Sequence, residues 1–268
     1  MNSSNLTKNK IKEYLKKGKR FDNRKPLDYR DLEVETGISK NAEGSARIKL
    51  GKTEVVVGVK LDAGEPYPDS QDEGVMITTA ELTPLSSDRF EYGPPRIEAI
   101  ELARLVDRGI RESGFIDWKK LCIKKGEKVW IIFLDIYTVN DAGNLLDAAC
   151  LGALAALLTA KMPKYDEKLE RVKYGEFTSK GLPLTNIVPL TFTFHKLGEN
   201  LLLDPIREEE DSSESRITIA LSKDKDIRIN ALQKGNEKAL SKKEVFKIIE
   251  EAFKKFKESE KVIGKLKK

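Results

Sequence analysis

Three groups of side chains in this sequence have the types and spacings that support chemistry. Arg104, Arg108 and Arg111 are separated by four and then three residues, so on a helix they share one face and could track the phosphates of a polyanion. Asp204-Pro205-Ile206-Arg207-Glu208-Glu209-Glu210-Asp211 concentrates carboxylates just after an apolar run, a composition able to hold a divalent cation or supply a general acid. His195 is the only histidine, which excludes any site built on two imidazoles, and no motif around it supports a Ser-His-Asp hydrolase.

Each group also has a plainer reading. Glu101 lies three residues before Arg104 and Asp107 four before Arg111, so the arginines could be spent on helix ion pairs worth roughly 0.2–0.5 kcal/mol each. The acidic run reads as a solvated loop, since Mg²⁺ sites usually draw carboxylates from separate elements. His195 reads as a structural or surface histidine. Arg20-Phe21-Asp22-Asn23-Arg24, followed by Arg30, offers groups for a local ion-pair network that acts as a structural staple.

The elements that must position these groups can be read from periodicity and turn signals. A short helix is predicted near Leu6 to Lys17, then a hairpin of Gly44 to Leu50 and Thr53 to Leu61 around Gly51-Lys52, then a strand at Val75 to Leu82. Gly93-Pro94-Pro95 opens a helix running to about Ser113, whose Ile97, Ile100, Ala103, Leu105, Val106 and Ile110 give it a core face. Val129 to Val139 reads as a strand. Leu145 to Met162 is apolar nearly all round, as expected of a helix packed on both sides. Past Pro163 the chain is polar through Lys180. Four further strands are expected at Ile187 to His195, Asn200 to Leu203, Arg216 to Leu221 and Ile227 to Leu232, and Lys242 to Leu266 is a basic amphipathic helix. The class is α+β, with sheet then helix repeated in two lobes packed as one domain.

Composition narrows the function classes. The formal charge of +5, from 49 basic and 44 acidic residues, is too small an excess to establish nucleic-acid binding by itself, so its distribution must carry that argument. Charged residues make up 35% of the chain, with Lys and Glu dominant, which suits an ion-paired surface of the kind enriched in heat-adapted proteins. Cys122 and Cys150 stand in unrelated contexts, suggesting neither a disulfide framework nor a thiolate metal site, and a cytoplasmic setting is the default. No apolar run follows the polar, lysine-rich first residues, and Leu145 to Ala160 contains Asp147 and is too short to span a bilayer, so neither secretion nor membrane insertion is expected.

Several segments together resemble the RNase PH family of phosphorolytic 3′-to-5′ exoribonucleases, over most of residues 15 to 235. Arg20 to Arg24 resembles its Arg-x-Asp-Gly-Arg motif with Asn23 in place of Gly, and Gly44-Ser45-Ala46 through Gly51-Lys52-Thr53 resembles its first hairpin. Asn140-Asp141-Ala142-Gly143-Asn144-Leu145-Leu146 is similar to its glycine-rich turn, but active members carry a Thr and an Arg after the glycines, facing phosphate and RNA. Active members also have two adjacent arginines where Arg96 stands beside Ile97, an Asp-x5-Asp pair where Asp204 is followed by Glu210, and Ala-Asp-Met-Pro where Ser215-Arg216-Ile217-Thr218 stands. The stretch from Gly93 to Ser113 is most similar to the non-catalytic RNase PH-like subunit of the archaeal exosome ring.

That resemblance implies an RNase PH-like fold over residues 20–240, flanked by an N-terminal helical extension (1–19) and a C-terminal amphipathic helix (241–268). It implies no catalytic residue, cofactor or metal of the chain's own. It implies a ring of three heterodimers with a catalytic RNase PH-like subunit, RNA-binding cap subunits with S1/KH-type domains, and single-stranded RNA held by Arg104, Arg108 and, more weakly, Arg111.

Overall fold

The computed structural model describes residues 5–259. The N-terminal helix α1 (Asn5–Lys16) leads into the strands of the first sheet: β1 (Leu32–Thr36), β2 (Gly44–Leu50), β3 (Thr53–Gly64) and β4 (Val75–Glu81). Helix α2 (Ile97–Arg111), the short strand β5 (Cys122–Lys124), β6 (Lys128–Asn140) and helix α3 (Leu145–Thr159) follow. A hairpin of β7 (Lys161–Asp166) and β8 (Arg171–Gly181) precedes the second sheet. That sheet is built from β9 (Leu190–Leu197), β10 (Asn200–Leu203), β11 (Ser215–Lys223) and β12 (Ile227–Gly235), with the one-turn helix α4 (Arg207–Asp211) between β10 and β11, and helix α5 (Lys242–Glu258) follows it.

The first sheet runs β1-β2-β3-β6-β4, with β5 attached to β6; the second runs β10-β9-β11-β12. In the first, β4 and β6 are parallel and joined through α2, whereas the second is antiparallel throughout. Helix α3 lies between the sheets and touches β2 and β3 on one side and β9 on the other. This explains its composition: a helix without a solvent face has no use for an amphipathic stripe, and Ala148, Ala149, Ala153, Ala155 and Ala156 are all fully buried. A Cβ on Gly44 would stand 2.2 Å from the Ala156 carbonyl oxygen, so glycine sets the helix-to-sheet distance there. The helix ends at Thr159, short of the expected Met162, because the following residues join the β7–β8 hairpin.

The other face of the second sheet is covered by α5. Alternation along β9 divides the side chains: Phe192 meets Phe256 of α5 edge to face at 6.4 Å, while Thr193 turns to α3. A capping box fixes the start of α5, with Ser241 and Glu244 bonding each other's backbone N–H. The rest of the predicted C-terminal helix lies outside the described residues. Helix α1 buries Ile11 and Leu15 against Leu197 and Leu202 at the β10 edge. Strand β1 and the β7–β8 hairpin were not expected from sequence: β1 is short, and the hairpin is largely exposed, so neither carries a strong apolar alternation.

One buried acid links these layers. Asp147, in the first turn of α3, accepts hydrogen bonds from Tyr29 Oη (2.8 Å), Thr193 Oγ1 (2.7 Å), Thr193 N–H (3.2 Å) and Asn144 Nδ2 (3.1 Å). Burial pushes its carboxyl from 3.8 up to about 6, although those donors favour the charged form. A carboxyl raised in the folded state adds stability that is present below its unfolded pKa and lost as pH rises through the folded one. Urea unfolding of wild type and Asp147→Asn across pH 4 to 7 should therefore show the difference moving in the variant's favour by at most about 3 kcal/mol. A difference that stays flat with pH would show that Asp147 titrates as it does in the unfolded chain.

Candidate nucleic-acid interface

Helix α2 turns Leu102, Ala103, Leu105, Val106 and Ile110 inward and leaves a stripe of Ile97, Ile100, Arg104 and Arg108 outside. Ile97 and Ile100 were expected in the core and are instead 71% and 45% exposed, because they border an open groove between α2 and β12. Arg104 and Arg108 form the ridge between two hollows. One, of about 340 Å³, has walls of Ile97, Ile100, Ala231 and Leu232 between α2 and β12. The other, of about 230 Å³, is bounded by Thr78 and Asp107.

The three arginines differ in occupancy. Arg111 is held by Asp107 at 2.7 and 2.9 Å, donates to the Met76 carbonyl at 2.8 Å and lies over the Trp118 ring. Glu101, the expected partner of Arg104, is instead paired with Arg216. Neither Arg104 nor Arg108 has an ion pair or hydrogen-bond acceptor among the described residues, and both are exposed. Arg96 pairs with exposed Glu91.

The glycine-rich turn and the acidic run meet in space at the start of α3. Gly143 has φ 92°, and a Cβ there would stand 2.6 Å from the Pro205 carbonyl oxygen, so only glycine permits this approach. Asn144 follows in the left-handed region at φ 56°. Its Nδ2 donates to Asp204 Oδ1 (2.9 Å) and Asp147 (3.1 Å), and its backbone N–H donates to Glu210 Oε2 (3.1 Å). Leu145 and Leu146 are buried.

The acidic run is not a solvated loop. Asp204 is fully buried and accepts from Arg30 through its backbone N–H (2.7 Å), Nε (2.9 Å) and Nη2 (2.6 Å), and from Arg24 Nη1 (3.0 Å). Glu209 forms a buried ion pair with Arg20, while Asp211 bonds Arg207 and Arg89. The network expected to be local to residues 20–30 thus reaches across the chain to residues 204–209. Asp141 is clasped by Arg89 (2.6 Å) and Arg207, and burial, with the Asp141 charge beside it, pushes the Glu210 carboxyl above its usual range. Among the described residues no cluster of His, Cys, Asp and Glu converges as a metal site would. His195 is buried, and burial, with Arg216 and Arg20 nearby, pushes it down to about 3, so it stays neutral at physiological pH. No helix among the described residues is long and apolar enough to cross a membrane.

Sequence reading missed the Glu210 contact, which depends on a tertiary approach, and the apolar groove beside the arginines. The spacing of Ile100, Arg104 and Arg108 at steps of four was the available signal for the groove.

Comparison with known proteins agrees with this geometry. Residues 28–163 match domain 1 of the 3′ exoribonuclease family, RNase PH, and residues 188–255 match its domain 2. The chain is 48% identical over 251 residues to the exosome complex component Rrp42 of Methanosarcina acetivorans, covering 93% of this chain and 90% of that protein. It is 46% identical to the Rrp42 component of Thermococcus kodakarensis, covering 94% and 92%. Among solved structures, a chain of the Archaeoglobus fulgidus exosome with RNA bound to the active site superposes with a TM-score of 0.84 at 41% identity, covering 95% of this chain and 97% of that one. With both family domains matched in order, and relatives paired almost end to end, the chain belongs to the 3′ exoribonuclease family typified by RNase PH.

Proposed function

We propose that this chain is a non-catalytic subunit of an archaeal exosome, holding RNA for 3′-to-5′ phosphorolysis by a catalytic RNase PH-like partner. Three such heterodimers would alternate in a hexameric ring in the cytoplasm, with S1/KH-type cap subunits above it. The cytoplasmic setting is supported by two free thiols, Cys122 and Cys150, and the assembly by the Rrp42 and exosome relatives.

One observation carries the non-catalytic reading: the Glu210 carboxylate caps the Asn144 N–H at the start of α3. Helix N-termini bind phosphate through free N–H groups and positive potential. Here an internal carboxylate takes that N–H, the Asn144 amide is spent on Asp147 and Asp204, and the next two side chains are buried leucines. A phosphate placed there would meet a carboxylate, and no guanidinium follows the turn to offset it.

The ridge of Arg104 and Arg108 supplies the RNA-holding part. Two unpaired guanidinium groups bind phosphates without reading sequence. The exposed apolar wall beside them fits the edge of a protein partner, which would bring the ridge close to the partner's active site. Arg111, engaged by Asp107 and Met76, contributes less.

The first test is phosphate-dependent release of nucleoside diphosphates from single-stranded RNA. The chain alone should release none, and the reconstituted ring should release them robustly; release by the chain alone would overturn the reading. In the same ring, Arg104→Ala with Arg108→Ala should lower RNA affinity and reduce the slope of log affinity against log salt by about 1.4, from two lost single-strand phosphate contacts. Assembly, measured by light scattering, should be unchanged. An unaltered salt slope would remove these arginines from the RNA path.

A further inference from the structure

The chain carries 49 basic and 44 acidic residues, and their imbalance is local. Between residues 5 and 19 there are six lysines and one glutamate, Glu13, leaving 43 of each sign in the rest of the chain. Residues 5–19, α1 and the turn that follows it, therefore carry a net +5 of their own. Lys12 is paired with Glu214 at 2.7 Å; Lys10, Lys16, Lys17 and Lys19 have no ion pair among the described residues and are exposed.

Two aromatic rings lie among these cations. Tyr14 and Phe21 meet edge to face, with centroids 5.1 Å apart and planes at 79°, and are 40% and 36% exposed. Lys10 and Tyr14, four residues apart, share one stripe about 100° round the helix from the buried Ile11 and Leu15, and Lys17 stands in the turn just past its end. The turn after the helix is closed by hydrogen bonds: the N–H groups of Lys17 and Lys19 both donate to the Tyr14 carbonyl at 3.0 Å. Phe21 is then held between two anchored neighbours, Arg20 buried against Glu209, and Asp22 bonded to Arg24 at 2.7 Å. Among the described residues both rings keep more than a third of their surface uncovered, and neither belongs to the buried cluster formed by Ile11, Leu15, Leu197 and Leu202.

We infer that the Tyr14–Phe21 pair and the lysines around it form a second binding surface for single-stranded RNA, separate from the arginine ridge. Exposed rings offer stacking faces to unpaired bases, and lysines around them follow the backbone. A basic stripe without aromatics would fit any polyanion, so the rings favour single strands over duplex and over acidic protein. Helix α5 also places a lysine near a ring, Lys242 at 5.8 Å from Phe246, but there Glu250, Glu251 and Glu258 interrupt the charge. The two proposed surfaces lie at opposite edges of the second sheet, α1 packing at β10 and α2 reaching β12. RNA could thus be held on the outside of the molecule while its 3′ end is processed elsewhere. The inference rests on the RNA-handling role proposed above only in assuming that RNA reaches this chain.

The test uses the full chain with a fluorescent single-stranded oligoadenylate and, separately, a 4-thiouridine RNA for photo-cross-linking. Cross-links should map to Tyr14 or Phe21 in the unsubstituted chain. Tyr14→Ala with Phe21→Ala should lower affinity about tenfold with little change in salt slope, and Tyr14→Trp should retain it. Lys10→Ala with Lys17→Ala should reduce the slope by about 1.4. The chain carrying Arg104→Ala and Arg108→Ala should still cross-link at α1, which separates failure of this surface from failure of the ridge. Absence of cross-links here, or variants that lose association with a protein partner while binding RNA normally, would overturn the proposal.

Discussion

The fold depends on how the buried Asp204 carboxylate is neutralised. Taking such a group out of water costs several kcal/mol, and the cost is offset only if charged donors converge on it. Here Arg30 and Arg24 bond its carboxylate, Asn144 adds an amide, and its carbonyl oxygen accepts from Arg20 at 2.8 Å and Arg24 at 3.0 Å. The residue itself has φ 50°, so the network also holds a backbone conformation that non-glycine residues seldom adopt. Three distant segments are thereby fixed to one point: residues 20–30, the start of α3, and the loop into α4. Breaking a buried pair by removing its one partner typically costs about 3–5 kcal/mol; here two guanidinium groups share the charge, so losing Arg24 or Arg30 leaves the other in place.

Geometry at the start of α3 follows from that anchor and from the sheets on either side of the helix. Packed against β2 and β3 on one face and β9 on the other, α3 has no room to shift along its axis. The Asp204 loop approaches Gly143 so closely that no Cβ is allowed, and this contact brings Glu210 to the Asn144 N–H. The longer acidic side chain at that position is therefore a cap as well as a departure from the Asp of active relatives. Restoring Asp at this position would shorten the cap but leave the buried leucines, the committed Asn144 amide and the absent arginine in place. On the proposed non-catalytic reading several linked features oppose a phosphate at the start of α3, so no single substitution is expected to create a site there.

Sequence was most informative where one residue pattern admitted one environment. An all-round apolar α3 requires two packed faces, and β3 and β6 of the first sheet carry alternations that survive into the structure. It was least informative where the decisive contact joined distant segments. Arg20 and Glu209 are far apart in sequence, so nothing near either residue reveals a buried pair, and the acidic run resembled a solvated loop. Ile97 and Ile100 failed for a different reason. Apolar residues at helical spacing are read as core, but a helix with two apolar stripes does not say which of them the sheets will cover.

The charge arrangement on α2 argues that its exposed stripe is kept for something other than stability. Surface ion pairs are worth about 0–1 kcal/mol, so the sequence could have paired Arg104 with Glu101 at little cost. Glu101 is instead engaged by Arg216 from the second sheet, and Asp107 by Arg111, which leaves two guanidinium groups four residues apart without counter-charges. Like charges at that spacing repel by a few tenths of a kcal/mol. The adjoining isoleucines add apolar surface that the isolated chain leaves in water. Both penalties are small, and both disappear when an anion covers the arginines and a partner covers the isoleucines. The stripe is therefore under mild stress in the free chain, and the RNA and protein partner proposed for it would relieve that stress.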